Sequence, residues 1–340
     1  MDSDFPAKEL NDIIKEADAI KPLVSIRGLR VYFYTEEGTV KAVEGIDLDI
    51  NKGETLGLIG ESGSGKTVSA LSMVRLLPIP PAKIMSGSVK LDNKDLIQVS
   101  EDEMRKIRGS RISMIFQDPM TSLNPLYPVA DQIGENLRVH RGMNPEDAIV
   151  EAINMMKEVG IPDANKRARD FPHQFSGGMR QRIMIAIALS CRPALLIADE
   201  PTTALDVTIQ AQVLNLIEEL KIKFRTSVLY ITHNFAVVAE IADRVAVMYA
   251  GYIVEEGDVF TIFEEPSHPY TQDLLSSIPR VDRKLTHLEV IRGSVPNLIN
   301  PPSGCRFHPR CKKAFDVCPK VVPKRVEINK RHFVRCHLYG

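Results

Sequence analysis

Tryptophan is missing from all 340 residues, aromatic side chains make up only 6%, and the formal net charge is −1. No stretch approaches the ~18 consecutive apolar residues that a membrane-spanning helix needs, so the chain is not expected to cross a bilayer by itself. The opening MDSDFPAKELND is acidic and lacks the basic-then-apolar layout of a secretory signal. The expected compartment is therefore the cytosol, where stable disulfides are unusual. Cysteine is scarce as well, yet four of the five, Cys305, Cys311, Cys318 and Cys336, fall in the last 36 residues. The near-zero charge hides an asymmetry. Cys305 to Cys336 carries ten Lys/Arg and two Asp/Glu, a local +8, which leaves −9 for the remainder. Such a tail suits nucleic acid, lipid headgroups or an anionic cluster.

What is present is the mix of a globular protein, 44% hydrophobic and 26% charged. At roughly 150 residues per domain the length predicts two or three units. Residues 1–22 read as a flexible leader with a short helix over Leu10–Ile20. LVSIRGLRVYF (23–33) reads as a strand, and ETLGLIG (54–60) as a strand entering a glycine-rich loop. VSALSMVRLL (68–77) has helical spacing. Residues 116–175, rich in Pro, Asn and Met, predict a helical insert. ALLIAD (194–199) and SVLYIT (227–232) are unbroken apolar runs, as expected of strands buried on both faces. Between them VTIQAQVLNLIEELKIKF (207–224) puts Ile209, Val213, Leu216 and Leu220 on one helical face, and RVAVMYAGYIVEEGD (244–258) predicts a hairpin turning at Ala250-Gly251. Alternating strands and helices argue for an α/β domain with a mainly parallel centre. After Pro266 prolines become frequent and periodicity fades, which puts a boundary near 256–266.

GESGSGKT (60–67) fits the phosphate-loop pattern G-x-x-x-x-G-K-[ST] without a mismatch. Its glycines let backbone N–H groups face an anion, and the following helix adds its positive end. Lys66 can bridge β- and γ-phosphates, and the Thr67 hydroxyl can ligate Mg²⁺. The contacts expected around the nucleotide are Gly60, Glu61, Ser62, Gly63, Ser64, Gly65, Lys66, Thr67 and Val68. ALLIADE supplies the metal-side carboxylate, Asp199, and next to it Glu200, placed to polarise an attacking water. FSGGMRQR (175–182) offers a second anion-binding helix start with Ser176 as N-cap, although read alone it is an ordinary glycine-containing N-terminus.

GESGSGKT, Gln117 in IFQDP, FSGGMRQR, LLIADEP, TALD (203–206) and His233 in YITHN occur in the order found in ATP-binding-cassette ATPases, and the resemblance spans about 23–256. MTSLNP (120–125), FSGGM, SHPYTQDLL (267–275) and the cysteine-bearing tail make the chain resemble, more narrowly, the D-type ATPase subunit of oligopeptide/dipeptide permeases, whose relatives import nickel or other small solutes.

The resemblance implies a P-loop NTPase with a RecA-like core, an antiparallel β subdomain, a helical subdomain at about 116–175, and a small Cys-rich domain over 257–340. It implies ATP hydrolysis that drives uptake of di- or oligopeptides, with an importer of nickel or another small solute as the alternative. Cassettes of this family pair head to tail, so Ser176, Gly177 and Gly178 would contact the γ-phosphate held by the facing chain, and Asp206 would lie at the seam. Glu200 would be the general base, His233 would hold the γ-phosphate and orient Glu200, and Gln117 would touch Mg²⁺ and the attacking water. Thr67, Gln117 and Asp199 would be the magnesium residues, and Phe33 would stack on adenine. The implied partners are a paralogous ATPase subunit or a second copy, two transmembrane permease subunits and, indirectly, an extracytoplasmic peptide-binding protein. The implied location is peripheral, on the cytoplasmic face of the membrane. Met179 departs from the commoner Gln of the signature.

Cys305, Cys311, Cys318 and Cys336, spaced C-x₅-C-x₆-C-x₁₇-C, match tetrahedral zinc or a four-iron cluster. The missing C-x₂-C knuckles, and similar tails in some peptide-permease ATPases, favour a [4Fe-4S] cluster over Zn²⁺, with two disulfides third. His308, His332 and His337 are possible replacement ligands, and Cys191 reads as a small buried hydrophobe. Two rival readings are a soluble cassette ATPase acting on nucleic acid through the basic tail, and a regulatory paralogue that binds ATP without hydrolysing it. The first is disfavoured by the lack of long coiled-coil inserts, and nucleic acid is not an expected partner. The second is disfavoured by the intact Lys66, Asp199, Glu200 and His233.

Overall fold

The computed structural model describes residues 21–118, 122–203, 206–277 and 291–340. The expected leader, apart from Lys21 and Pro22, lies outside them, as do its helix over Leu10–Ile20, Met120-Thr121 of MTSLNP and Ala204-Leu205 of TALD.

Two sheets carry the molecule. The first is antiparallel and contains β1 (Val24–Thr35), β2 (Gly38–Ile50), β4 (Ala82–Leu91) and β5 (Lys94–Asp95), in the order β2-β1-β4-β5. The second also contains β3 (Thr55–Ile59), β6 (Ile112–Ile115), β7 (Leu195–Asp199), β8 (Ser227–Thr232), β9 (Arg244–Tyr249), β10 (Tyr252–Asp258), β11 (Val326–Asn329) and β12 (His332–Val334). Its order is β11-β12-β10-β9-β3-β8-β7-β6. The five strands from β9 to β6 run parallel, while β10, β12 and β11 extend the sheet antiparallel. TLGLI, LLIAD and SVLYIT are buried at every position, which is why these strands read as continuous apolar runs and not as alternation.

Between β6 and β7 lie the helices Val129–Arg141, Pro145–Glu158, Ala164–Arg167 and Gly177–Leu189. Asn144 caps the second by accepting from the Asp147 N–H, with Pro145 at the first helical position. The helix over 207–224 has the expected bounds and is capped by Asp206, whose carboxylate accepts from the Ile209 N–H at 2.9 Å. The helix expected over 68–77 instead runs Lys66–Met73. It starts earlier because Gly65, at φ 108°, turns the phosphate loop straight into it. It stops earlier because Arg75 takes a left-handed φ of 51°.

Three cores form. One fills the space between the antiparallel sheet and the central strands, and a second packs the helical insert on β6–β8. The third holds Tyr249, Tyr270 and Phe307, with ring centroids 4.5–5.4 Å apart, beside Leu298, Cys305 and Cys311. The textural change after Pro266 thus coincides with a segment that packs on β9–β10 and returns to the sheet edge, where Glu255 and Glu256 of β10 pair with Val334 and Phe333 of β12. Three of its arginines meet the acidic remainder: Arg306 pairs with Glu44, Arg310 with Glu61 and Arg325 with Glu256, while Lys312, Lys313, Lys320, Lys324, Lys330 and Arg331 are exposed. Cys191 is half-buried, less enclosed than expected.

Candidate active site

The C-terminal ends of the parallel strands point the functional loops to one side, where ligands of open α/β sheets gather. β3 ends in the phosphate loop, which wraps into the helix Lys66–Met73. The loop fits only with glycine at 65, since a Cβ there would stand 2.5 Å from the Ala42 carbonyl oxygen. Lys66 is 5% exposed, and its Nζ donates to the carbonyls of Gly60 at 2.7 Å and Glu61 at 3.0 Å. Burial lowers its pKa, while Glu200, Asp199 and Glu61 oppose the shift.

β7 delivers the carboxylates. Asp199 is buried and accepts from the Thr67 hydroxyl at 3.2 Å. Burial raises its pKa, the Thr67 hydrogen bond opposes this, and the neighbouring Glu200 adds to it. Glu200 has left a strand for a left-handed backbone, φ 46°, a conformation that costs energy in a non-glycine residue. Its amide is tied to the Ile231 carbonyl at 2.9 Å. Its side chain is held from three directions. Gln117 Nε2 donates to Oε2 at 3.2 Å, the Thr203 hydroxyl donates to the same oxygen at 2.9 Å, and His233 Nδ1 stands 3.2 Å from Oε1.

A cavity of about 770 Å³ is lined by Glu61 through Val68, Gln117, Glu200, Thr203, His233 and Phe33, together with Val40, Ala42 and Leu298. Alternation along β1 aims Phe33 at this cavity, while Tyr32 turns away and donates to Glu44 at 2.8 Å. Burial, then Glu44, pushes the Tyr32 hydroxyl up to about 12.

Ser176, Gly177, Gly178 and Asp206 are not among the residues lining it. Ser176 caps the helix Gly177–Leu189, accepting from the Met179 N–H at 3.4 Å, and Ser176 and Gly177 are exposed. Met179 packs partly into the second core, with Arg167 Nη1 3.2 Å from its sulfur. Four lining residues went unpredicted. Thr203 lies three residues after Glu200, inside a quoted motif, and could have been found. Val40, Ala42 and Leu298 carry no local signal, because only the folding of β2 and the C-terminal segment onto the loop brings them there.

The four tail cysteines form no disulfide, and all four line one pocket together with His308 and His337. Burial pushes the Cys305 thiol up to about 11, with the other three thiols adding to the shift. Among the described residues, no group of three or more His, Cys, Asp or Glu stands in position to hold a single metal ion. His332 takes no part in that pocket and instead lies 2.9 Å from the buried Glu255.

Two family models match, "ABC transporter" over residues 43–203 and "Oligopeptide/dipeptide transporter, C-terminal region" over 254–318. The chain is 51% identical to the oligopeptide transport ATP-binding protein AppD of Bacillus subtilis, over 93% of this chain and 97% of that one. It is 51% identical to the dipeptide transport ATP-binding protein DppD of the same organism, over 94% and 95%. Among solved structures it is similar to the dimeric ATP-binding cassette MJ0796 in a post-hydrolysis state bound to ADP and Pi, with 28% identity, a TM-score of 0.62, and coverage of 69% of this chain and 98% of that one. A phosphate loop and a held carboxylate facing one cavity, on this sheet and with these relatives, show that the chain belongs to the ATP-binding proteins of ABC transporters, in the group that carries the oligopeptide/dipeptide transporter C-terminal region.

Proposed function

We propose that this ATPase is the energy-coupling subunit of an importer of di- and oligopeptides, working in a head-to-tail pair of cassettes. The observation that carries the reading is the division of its machinery. The phosphate loop, Glu200, Gln117 and His233 face one cavity, whereas Ser176 and Gly177 are exposed outside it. A second cassette, a paralogue or another copy, supplies the missing half of the pocket. The peptide cargo is supported by the names of the relatives and by the matched C-terminal region.

ATP enters with adenine against Phe33 and its phosphates in the loop, where Lys66 exchanges the Gly60 and Glu61 carbonyls for phosphate oxygens. Thr67, Asp199 and Gln117 would hold Mg²⁺; the oxygens of the exposed Thr67 and the buried Asp199, 3.2 Å apart, suit a hard cation, whose charge would offset that of the phosphates. Glu200 accepts the proton of the attacking water, and His233, Gln117 and Thr203 keep its carboxylate in place. Ser176, Gly177 and Gly178 of the facing cassette close on the γ-phosphate, with Asp206 at the seam. Cleavage removes the group that joins the two surfaces, and they separate.

Among the described residues, no helix is long and apolar enough to cross a membrane. Transport therefore falls to two membrane-embedded permease subunits, served by an extracytoplasmic peptide-binding protein, with this chain docked on their cytoplasmic face. The helical insert beside Gln117 is the docking side, where Leu126 and Tyr127 are 79% and 56% exposed. Affinity capture from gently solubilised membranes tests this. Copurifying permease subunits and a second cassette are expected, and turnover stimulated by DNA or RNA without them would overturn it.

Cys305, Cys311, Cys318 and Cys336 are read as ligands of one [4Fe-4S] cluster. Four free thiols lining one pocket support a four-cysteine site, and the lack of C-x₂-C knuckles in the spacing favours the larger group over Zn²⁺. The cluster would tie the tail together or sense redox state. No cysteine lines the ATP cavity, so it takes no part in hydrolysis.

A further inference from the structure

The short segment between Cys305 and Cys311 reaches the phosphate loop directly through Arg310 and indirectly, by way of the Ala250-Gly251 turn, through Arg306. Phe307, 1% exposed, anchors it against Tyr249 and Tyr270. On one side of that anchor Arg310 makes a two-pronged contact with Glu61, the second residue of the loop: Nη1 to Oε2 at 2.7 Å and Nη2 to Oε1 at 3.0 Å. The Arg310 side chain is 6% exposed and that of Glu61 26%, so water screens the pair poorly. The Glu61 N–H donates to the Tyr270 hydroxyl oxygen at 3.0 Å, which fixes the Gly60–Glu61 peptide, whose carbonyl accepts from Lys66 at 2.7 Å. On the other side of Phe307, Arg306 donates to the carbonyls of Ala250 and Lys41 and pairs with Glu44. The turn it braces passes the restraint on, because the Gly251 N–H donates to the Ser64 carbonyl of the loop at 2.8 Å.

We propose that Arg306 to Arg310 is a two-point clamp on the phosphate loop and that Arg310, acting through Glu61, is a positioning residue for ATP binding. The fork geometry matters as well as the charge, since a guanidinium matches both carboxylate oxygens and fixes their plane. A loop held before ATP arrives does not lose that freedom on binding, so the clamp acts on nucleotide affinity more than on the chemical step. The inference rests on the reading that ATP occupies this loop.

The test uses the full chain and a fluorescent ATP analogue, with turnover measured alongside. Arg310→Ala is expected to raise the analogue's Kd and the KM for ATP roughly tenfold while kcat at saturation changes less than about threefold. Arg310→Lys, which keeps charge without the fork, is expected in between, and it serves as the second variant should Arg310→Ala fail to fold. Glu61→Gln should weaken binding similarly, and the double variant should be no worse than either single one, because both break the same link. An unchanged Kd in both Arg310 variants, or effects that add in the double variant, would overturn the clamp. Failure of the unaltered chain to bind the analogue would instead overturn the reading of the loop.

Discussion

His233 and Glu200, 33 positions apart in sequence and on the ends of adjacent parallel strands, meet with Nδ1 3.2 Å from Oε1. Glu200 is the less exposed of the two side chains, 16% against 58%. A shielded carboxylate is thus steered by a ring that the cavity can still reach.

If Glu200 is the base, Glu200→Gln keeps its shape and most of its hydrogen-bond partners but cannot take a proton. ATP turnover is expected to fall by at least ~100-fold with ATP still bound, and the closed pair should accumulate. Turnover in a phosphate-release assay and size-exclusion chromatography check this; unchanged turnover would remove Glu200 from the role.

Ser176 lies outside its own chain's cavity, so a composite site has a signature arithmetic. Ser176→Arg should leave nucleotide binding to the monomer within about twofold and abolish turnover of the variant on its own. A mixture of this variant with Lys66→Ala chains would restore a single working site. Turnover that needs only one intact polypeptide would contradict the shared pocket.

Phe33 lines the cavity. Phe33→Ala should weaken ATP binding by ~1–3 kcal/mol, the range of base–aromatic stacking, and Phe33→Tyr should be close to neutral. Calorimetric titration distinguishes the two.

Removing iron from anaerobically purified protein with a chelator is expected to bleach a brown sample holding about four iron and four sulfide per chain. Because Cys305 and Cys311 bracket the arginine clamp, the same treatment should lower both the Tm and the affinity for ATP. Colourless protein holding one zinc would assign the pocket to the single ion.

Glu255, fully buried on β10, accepts from the N–H groups of Ser267 at 2.6 Å and His268 at 3.0 Å and lies 2.9 Å from His332 Nε2. Glu255→Ala leaves these groups without a partner and should cost ~3–5 kcal/mol, read by urea denaturation.

Local chemistry was legible along the chain. Ser227–Thr232 and Val207–Phe224 have the bounds their sequences predicted, because an unbroken apolar run and a 3.6-residue period are properties of neighbours. The phosphate loop, Asp199 and Glu200 could be placed for the same reason, since glycine conformations and strand ends are set within a few residues. The start and stop of the helix Lys66–Met73 were not, as they depend on the Gly65 turn and on the left-handed backbone at Arg75.

Tertiary structure alone decided which distant groups meet. Leu298 in the ATP cavity, Arg310 on Glu61 and β12 on β10 join positions that no short window contains. Periodicity reports only which face of an element is buried. What that face is buried against follows from the packing of three cores, and the same packing set three arginines of the basic tail, Arg306, Arg310 and Arg325, on Glu44, Glu61 and Glu256.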